Sequence, residues 1–308
     1  MAENQHLSFL LDQLAHIEPN AYKVKYPDIQ YHLICPVDTS AWEWAKTITH
    51  FATDKTGKPE ILANRSEVIP LADVTREKFE HRIEAWAIGY DYSDEEIAQA
   101  ARLGIPLAAD KAIACRRAVE EMCDDLLANG NADLGWDGLL DNASITKKDA
   151  AANGTGGSKK WKDKKAEDII ADVNDVLSGV YIDSKTVELA DTLLFPPQLF
   201  ADIMGKVIEG TAVTVWDFLE RNNIYTRRTG MPLMVREYRG LETAAAGDTG
   251  RVVAYRRDPE VLKFHMPMPF QFQEPIKHMF HYVIPGRFRV GGLEIRRPKA
   301  MRYLDGVL

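Results

Sequence analysis

The sequence predicts an α+β fold hung on one long helix. Three observations carry this. Residues 93–129 read as two successive helices, the second long enough to cross a domain. Residues 37–90 hold short β-like runs separated by turn material. The last third, from Arg251, is strand-like and punctuated by proline, which a helix interior rejects. A chain of 308 residues can bury a large core and has room for two domains.

Bulk properties exclude several classes. Apolar residues make up 45% and charged residues 27%, a soluble globular balance. No run of 18 apolar residues exists, so a spanning helix is not expected. The N-terminus lacks a basic n-region and a cleavage site, so it does not read as a signal peptide. The net charge of −8 argues against a protein whose main task is gripping phosphate backbones. Of the three cysteines, Cys115 and Cys123 lie eight apart on a helix, ~12 Å between Cα atoms, too far for a disulfide. Reduced thiols are expected.

Residues 1–36 open with Phe9, Leu10, Leu14 and Ile17 spaced for one helical face, then turn extended through AYKVKYPDIQYHLICP. Such a segment has little core of its own. It is either a loose terminus or an arm ordered on a neighbour. In residues 37–90 the β-like runs are Trp42–Phe51, Ile61–Ile69 and Phe79–Tyr90, with a polar turn at 53–59. HRIEAWAIGYDY places Ile83, Ala85, Ala87 and Gly89 on one side and Arg82, Glu84, Trp86, Ile88 and Tyr90 on the other. Neither side is purely polar. This suits a long ribbon that finds its second apolar layer in another chain, or a sheet within one domain.

Ser93 and Glu96 form a capping-box pattern, and Asp94, Glu95 and Glu96 suit the first turn of a helix. Gly104 and Pro106 interrupt that helix. The second helix should run from Pro106 to Ala128 and end at Asn129-Gly130, ~35 Å in all. Ala108, Ala112, Cys115, Val119, Met122 and Leu126 fall on one face, with Asp110, Arg116, Arg117, Glu120, Glu121, Asp124 and Asp125 largely elsewhere.

Residues 131–166, rich in Gly, Ala and Lys, read as a mobile surface loop or a domain boundary. Residues 167–240 read as a mixed α/β unit. A helix has Ile169, Ile170, Val173, Val176, Leu177 and Val180 inward. TLLF is a buried strand stopped by two prolines. Helices follow at 198–208 and after Thr214 as N-cap, then the strand PLMVREY. From Arg251, two strands flank Asp258-Pro259, and further strands close the chain.

No catalytic motif stands out: there is neither GxSxG nor HExxH. NGTGGSKK fails as a phosphate loop, because Ser158 separates Gly157 from Lys159 and no buried strand precedes it. His278 and His281 sit three apart in a segment that reads as one strand, on opposite faces, without a Cys or carboxylate cluster. The arginines at 227, 228, 236, 239, 251, 256 and 257, and at 287, 289, 296 and 297, are diluted by carboxylates. They suit ion-paired strands or subunit contacts better than a nucleic-acid groove. No catalytic, cofactor-binding or metal-ligating residue is assigned, and no cofactor is expected.

Taken in order, several segments resemble one family. These are the helix–NG–GLL segment ending LLANGNADLGWDGLLDN, the strand TLLFPP, GRVVAYRRDPEVLKFHMP, and the closing GGLEIRRPKAMRYLDGV. The sequence is similar to the tailed-bacteriophage major capsid proteins that share a shell fold with encapsulins and herpesviruses. The resemblance implies an N-terminal arm (1–40), an extended β loop (41–88), and a peripheral domain (89–142 and 251–308) with its spine helix at 106–128. It implies an axial domain at 143–250. It also implies a structural, non-enzymatic subunit that builds pentamers and hexamers into an icosahedral phage head around double-stranded DNA. Copies of itself, a separate scaffolding protein and a portal are the implied partners. No membrane partner is implied, and the place is the virion, assembled in the host bacterial cytoplasm. An encapsulin-like nanocompartment, a cytosolic enzyme with an unrecognised site and a nucleic-acid binder are the alternative readings. Proteolysis is expected first in the arm, at residues 50–60 and at residues 146–165.

Overall fold

A computed structural model describes residues 28–59, 71–103 and 109–308. The expectations for Phe9 to Ile17, for the run at 61–69 and for the break at Gly104–Pro106 lie outside these residues. The described chain opens with α1 (Tyr31–Ile34), a helical turn where extended chain was expected. Buried Ile34 and Cys35 hold it against the core, so packing overrides the local pattern. Next come β1 (Val37–Asp38), β2 (Thr47–Thr56), β3 (Asp73–Arg82) and β4 (Glu84–Ser93). The expected strand from Trp42 begins only at Thr47. The expected run Phe79–Tyr90 is split at Ile83, which is buried and donates its N–H to Lys46 O at 2.9 Å. Among the described residues β3 pairs only with β2, whereas β4 pairs along its full length with a later strand.

The capping box forms in both directions. The Ser93 N–H donates to Glu96 Oε2 at 3.0 Å, and the Glu96 N–H to Ser93 Oγ at 3.1 Å. It starts α2 (Asp94–Leu103), which leads to the long helix α3 (Ala109–Ala128). The described helix thus begins at Ala109 where Pro106 was expected. Cys115, Val119 and Leu126 are buried as expected, and Cys123 and Leu127 widen the stripe. Asp124 departs from the expected polar side and is buried. It accepts from the Gln30 N–H at 3.2 Å and from Arg239 Nη2 at 3.1 Å, so two donors offset the cost of its burial.

The NG–GLL segment is the C-terminal stop of α3. Gly130 takes φ +70°, the left-handed region that favours glycine. The Leu139 and Leu140 N–H groups then donate to Leu127 O at 2.8 Å and Ala128 O at 2.9 Å, closing carbonyls the helix leaves open. A side chain at Gly138 would run into the backbone of Ala128 and Asn129, so the returning strand needs glycine there. β5 (Gly130–Asn131) and β6 (Trp136–Asp137) form the small ribbon between them.

Residues 131–166 correct the expectation of a mobile loop. β7 (Thr146–Asp149) is a ladder strand, and the N–H groups of Ala150 and Trp161 donate to Asp305 O and Val307 O, each at 2.9 Å. Trp161 is fully buried and donates Nε1–H to Asp172 Oδ2 at 3.0 Å. Lys206 donates to the carbonyls of Trp161, Lys162 and Lys164. The Gly/Lys composition concealed a segment pinned by one aromatic anchor.

The rest of this half follows the helical periodicity. It contains α4 (Ala166–Asp183), β8 (Thr192–Phe195), α5 (Pro197–Gly205), α6 (Val215–Arg221), α7 (Ile224–Thr229) and β9 (Met234–Glu237). Thr214 caps α6 through its side chain, as expected. α5 ends three residues short of Ile208. α7, which was not anticipated, starts where the Asn223 side chain accepts from the Thr226 N–H.

The final strands are β10 (Arg251–Tyr255), β11 (Leu262–His265), β12 (Met268–Phe272), β13 (Ile276–His278), β14 (His281–Val290), β15 (Gly292–Ile295) and β16 (Met301–Asp305). β14 carries β4 on one edge, antiparallel from His281↔Ser93 to Val290↔Glu84. In β4, Trp86, Ile88 and Tyr90 are half-buried while Ala85, Ala87 and Gly89 are exposed. A five-stranded sheet, in the order β7-β16-β10-β8-β9, forms the wall between two cores. Alternate side chains leave opposite faces of a strand. Val253, Tyr255, Met301, Tyr303 and Leu194 join the core around α3. Val252, Ala254, Leu304, Leu193 and Phe195 join the core around α4. A sheet covered on both faces reads as continuous apolar sequence, which is why TLLF and RVVAY lack alternation.

Candidate assembly surfaces

The β2–β3 hairpin projects from this body. Its strands pair over ten residues each, from Thr47↔Arg82 to Thr56↔Asp73. Every residue in them is exposed except Ile48, His50 and His81, all near the root. Phe51, Val74 and Phe79 are among the exposed side chains, and Leu71 beyond the strands is 86% exposed. A two-stranded ribbon with no covered face is marginal alone in water. Exposed apolar surface of this kind marks a contact for another molecule.

The root is close-packed. His50 Nδ1 lies 2.8 Å from Glu294 Oε1, and His265 Nε2 lies 2.8 Å from Glu294 Oε2. Arg296 Nε donates to the same carboxylate at 2.9 Å. His81 Nε2 is 2.6 Å from Gly291 O, so this nitrogen must carry the proton it donates. Its ring lies near those of Trp136 and His265, with centroids 6.3 and 5.4 Å away. The closing Gly-Gly pair makes the approach possible. A Cβ on Gly291 would come within 3.3 Å of Arg82 O and His81 Cδ2. Gly292 takes φ +75°, and a Cβ there would sit 3.1 Å from the Trp136 ring. Beside the root, a groove of ≈ 790 Å³ is lined by Phe51, Phe79, Glu294 and Arg296, among others.

Burial opposes ionisation of Glu294, but the hydrogen bonds and charges of His265 and Arg296 outweigh it and bring the carboxyl down to about 2. Its folded value is therefore below its ordinary 4.5. The stabilisation is present above pH 4.5 and lost as the pH falls towards 2. Glu294→Gln is expected to flatten the fall of Tm through that acid window, as scanning calorimetry would record. An unchanged slope would remove the carboxylate from the account.

Other apolar side chains are exposed as well. The turn between β13 and β14 presents Met279 at 75% and Phe280 at 80% exposure. The Asp94 N–H donates to Phe280 O at 2.9 Å and fastens this tip to the start of α2. His278 and His281 are not on one strand as expected. They face each other across this turn as a cross-strand pair, ring centroids 5.2 Å apart. Elsewhere, in residues 166–240, the side chains of Ile182, Val187, Val207 and Met231 are exposed.

Among the described residues no group of three or more His, Cys, Asp or Glu could hold a metal ion. The glycines of NGTGGSKK form a short turn, with Gly156 and Gly157 at positive φ and no helix opening at the lysine. Several singled-out arginines are ion-paired. Arg256 and Arg297 share the buried Glu188, and Arg251 clamps Asp305. All three cysteines are free and buried, and burial pushes the Cys123 thiol up to about 12. No described helix is long and apolar enough to cross a membrane. Sequence reasoning did not single out His50, His81, His265 or Glu294. The only signal pointing to them is the Gly291-Gly292 pair, which marks a close approach without saying what approaches.

The fold resembles solved shells along nearly its whole length. The capsid of Myoviridae phage XM1 superposes with a TM-score of 0.79 at 17% identity, covering 96% of this chain and 98% of that one. A structure from Microbacterium phage Oxtober96 superposes at 0.61 and 13% identity, covering 97% and 98%. A virus-like particle from Pyrococcus furiosus superposes at 0.51 and 12% identity, covering 89% and 91%. Comparison with curated proteins yields no match. The family described as major capsid protein matches residues 57–307. The core elements, the projecting hairpin and this match converge: the chain belongs to the major capsid protein family and is a structural capsid protein.

Proposed function

We propose that this chain is the repeating subunit of an icosahedral phage head, assembling as pentamers and hexamers around double-stranded DNA. The observation that carries the reading is the β2–β3 hairpin, whose two faces find no cover among the described residues. Copies of the same subunit supply that cover. In this reading residues 1–40 are an arm and 41–88 an extended loop. Residues 89–142 and 251–308 form a peripheral domain, and 143–250 an axial domain around the symmetry axis. The two cores on opposite faces of the five-stranded sheet support such a division, with the sheet as shared wall. The subunit acts by geometry and catalyses nothing. A separate scaffolding protein and a portal assist it, and it is made and assembled in the host bacterial cytoplasm before residing in the virion. A compartment that packages an enzyme is the second reading. The likeness to the XM1 phage capsid, at a TM-score of 0.79, favours the phage head.

Electron microscopy of the chain expressed with its scaffold is expected to show closed particles tens of nanometres across. Monodisperse small species under every condition would overturn the proposal. Shells filled with a co-purifying enzyme would favour the second reading.

A further inference from the structure

The hairpin root gathers more titratable groups than holding a ribbon requires. β2 and β3 each send one histidine into the body, and among the described residues no other element packs extensively against either strand. The two histidines meet different partners. His50 faces the carboxylate of Glu294 on β15. His81 faces a neutral carbonyl, Gly291 O. Around His81 stand His50 from β2, His265 from β11, Glu294 from β15 and the Trp136 ring from β6. Behind these, Arg296 holds Glu294, and Asp38 is held by Lys263 at 2.9 Å and lies 3.8 Å from His265 Nδ1.

We propose that His81 is a proton-sensitive latch: neutral, it locks the β2–β3 hairpin to the body, and protonated, it releases the hairpin to change its angle. Glu294 also attracts a charge on His81, but its oxygens are already met by His50, His265 and Arg296, and His81 makes no ion pair with it. A cation there would stand among two other imidazoles in a half-buried site, where unpaired charge is costly. Burial is the main cause that holds the proton affinity of His81 below the ordinary 6.5; the hydrogen bond to Gly291 O and the charge of Glu294 oppose it, His265 and His50 add to it, and burial prevails. The sign follows. The docked root binds its proton less readily than the free hairpin does. Its stability is complete above pH 6.5 and falls as the pH drops below that value. The latch belongs to the single chain and stands apart from the shell reading.

The test uses the full, unassembled chain with spin labels at Thr56 on the hairpin and Lys299 on the body, both exposed. Pulsed electron resonance is expected to give one narrow distance near pH 7.5 and a broadened or shifted one near pH 5.5. His81→Gln can still donate to Gly291 O but cannot take up a charge, and it should stay narrow at both. A wild-type distance that does not respond to pH, or a Gln variant that broadens as the wild type does, overturns the latch. Hydrogen exchange over residues 76–82 gives a readout that needs no variant. Opening, corrected for intrinsic chemistry, should rise up to about tenfold per pH unit below 6.5 in the wild type. A flat corrected rate overturns the proposal.

Discussion

Arg251→Met is expected to cost about 3–5 kcal/mol, enough to consume much of the roughly 5–15 kcal/mol that holds a domain folded. Arg251 is 1% exposed, at the start of β10, the central strand of the sheet that separates the two cores. Its Nε donates to Asp305 Oδ1 at 2.6 Å, and its Nη2 to Asp305 Oδ2 at 2.8 Å. Nη1 reaches Leu140 O at 2.6 Å, in the turn that closes the long helix, and the guanidinium lies 4.4 Å from the Tyr303 ring centroid. One side chain therefore ties β10 to β16 and both to the end of α3. Removing it strands the Asp305 carboxylate without its cation, and that loss is the main part of the cost. Lysine cannot reproduce the two parallel bonds, so Arg251→Lys should recover only part of the stability. The double variant Arg251→Met, Asp305→Leu should be much less damaged than Arg251→Met alone, since no buried charge is left behind. Denaturant midpoints of the unassembled chain measure all three. A single variant within 1 kcal/mol of wild type would show that the pair contributes little.

Trp161→Ala is expected to cost about 3–5 kcal/mol and to convert residues 146–165 from protease-resistant to protease-sensitive. Trp161 is fully buried against Phe195, with ring centroids 5.5 Å apart. Its indole N–H helps to satisfy Asp172, which also pairs with the buried Lys164. Alanine would leave a cavity and remove one donor from a buried ion pair. Trp161→Phe keeps most of the volume and loses only the hydrogen bond, so about 1–2 kcal/mol is expected. Early cleavage within 146–165 of the wild-type chain would contradict the anchoring described here.

Trp161 also shows where reading by composition fails. The surrounding Gly, Ala and Lys residues resemble a linker, and averaging hides the one residue that fixes the segment. The helices were more legible, because a periodic stripe such as Ile169, Val173, Val176, Leu177 and Val180 repeats the same message over several turns. The capping box at Ser93 and the N-cap at Thr214 were legible for a related reason. Each is satisfied within three residues of sequence, so no distant partner decides it. Family resemblance rested on stopping and turning signals, NG–GLL, TLLFPP and the closing GG. The structure gives each a mechanical cause.

His278 and His281 mark the opposite limit. Met279 takes φ +51°, which breaks the chain into a hairpin where an uninterrupted strand pattern was read. Asp124 was assigned to the polar face of its helix, and Gln30 and Arg239, 94 and 115 residues away, make its burial tolerable. His81 and Glu294 belong to the same class, since neither has a neighbour in sequence that hints at the other.

By itself, then, the sequence determined what is local: helix starts and stops, strand-forming runs, the absence of a recognisable catalytic motif, and an excess of β surface before Tyr90. The tertiary structure decided which face each strand covers, that one sheet divides two cores, and that the ribbon is held to the body through histidines. Local order follows from periodicity and backbone chemistry within a few residues. Burial and charge pairing follow from contacts between residues far apart in the chain, and no spacing along the sequence encodes those.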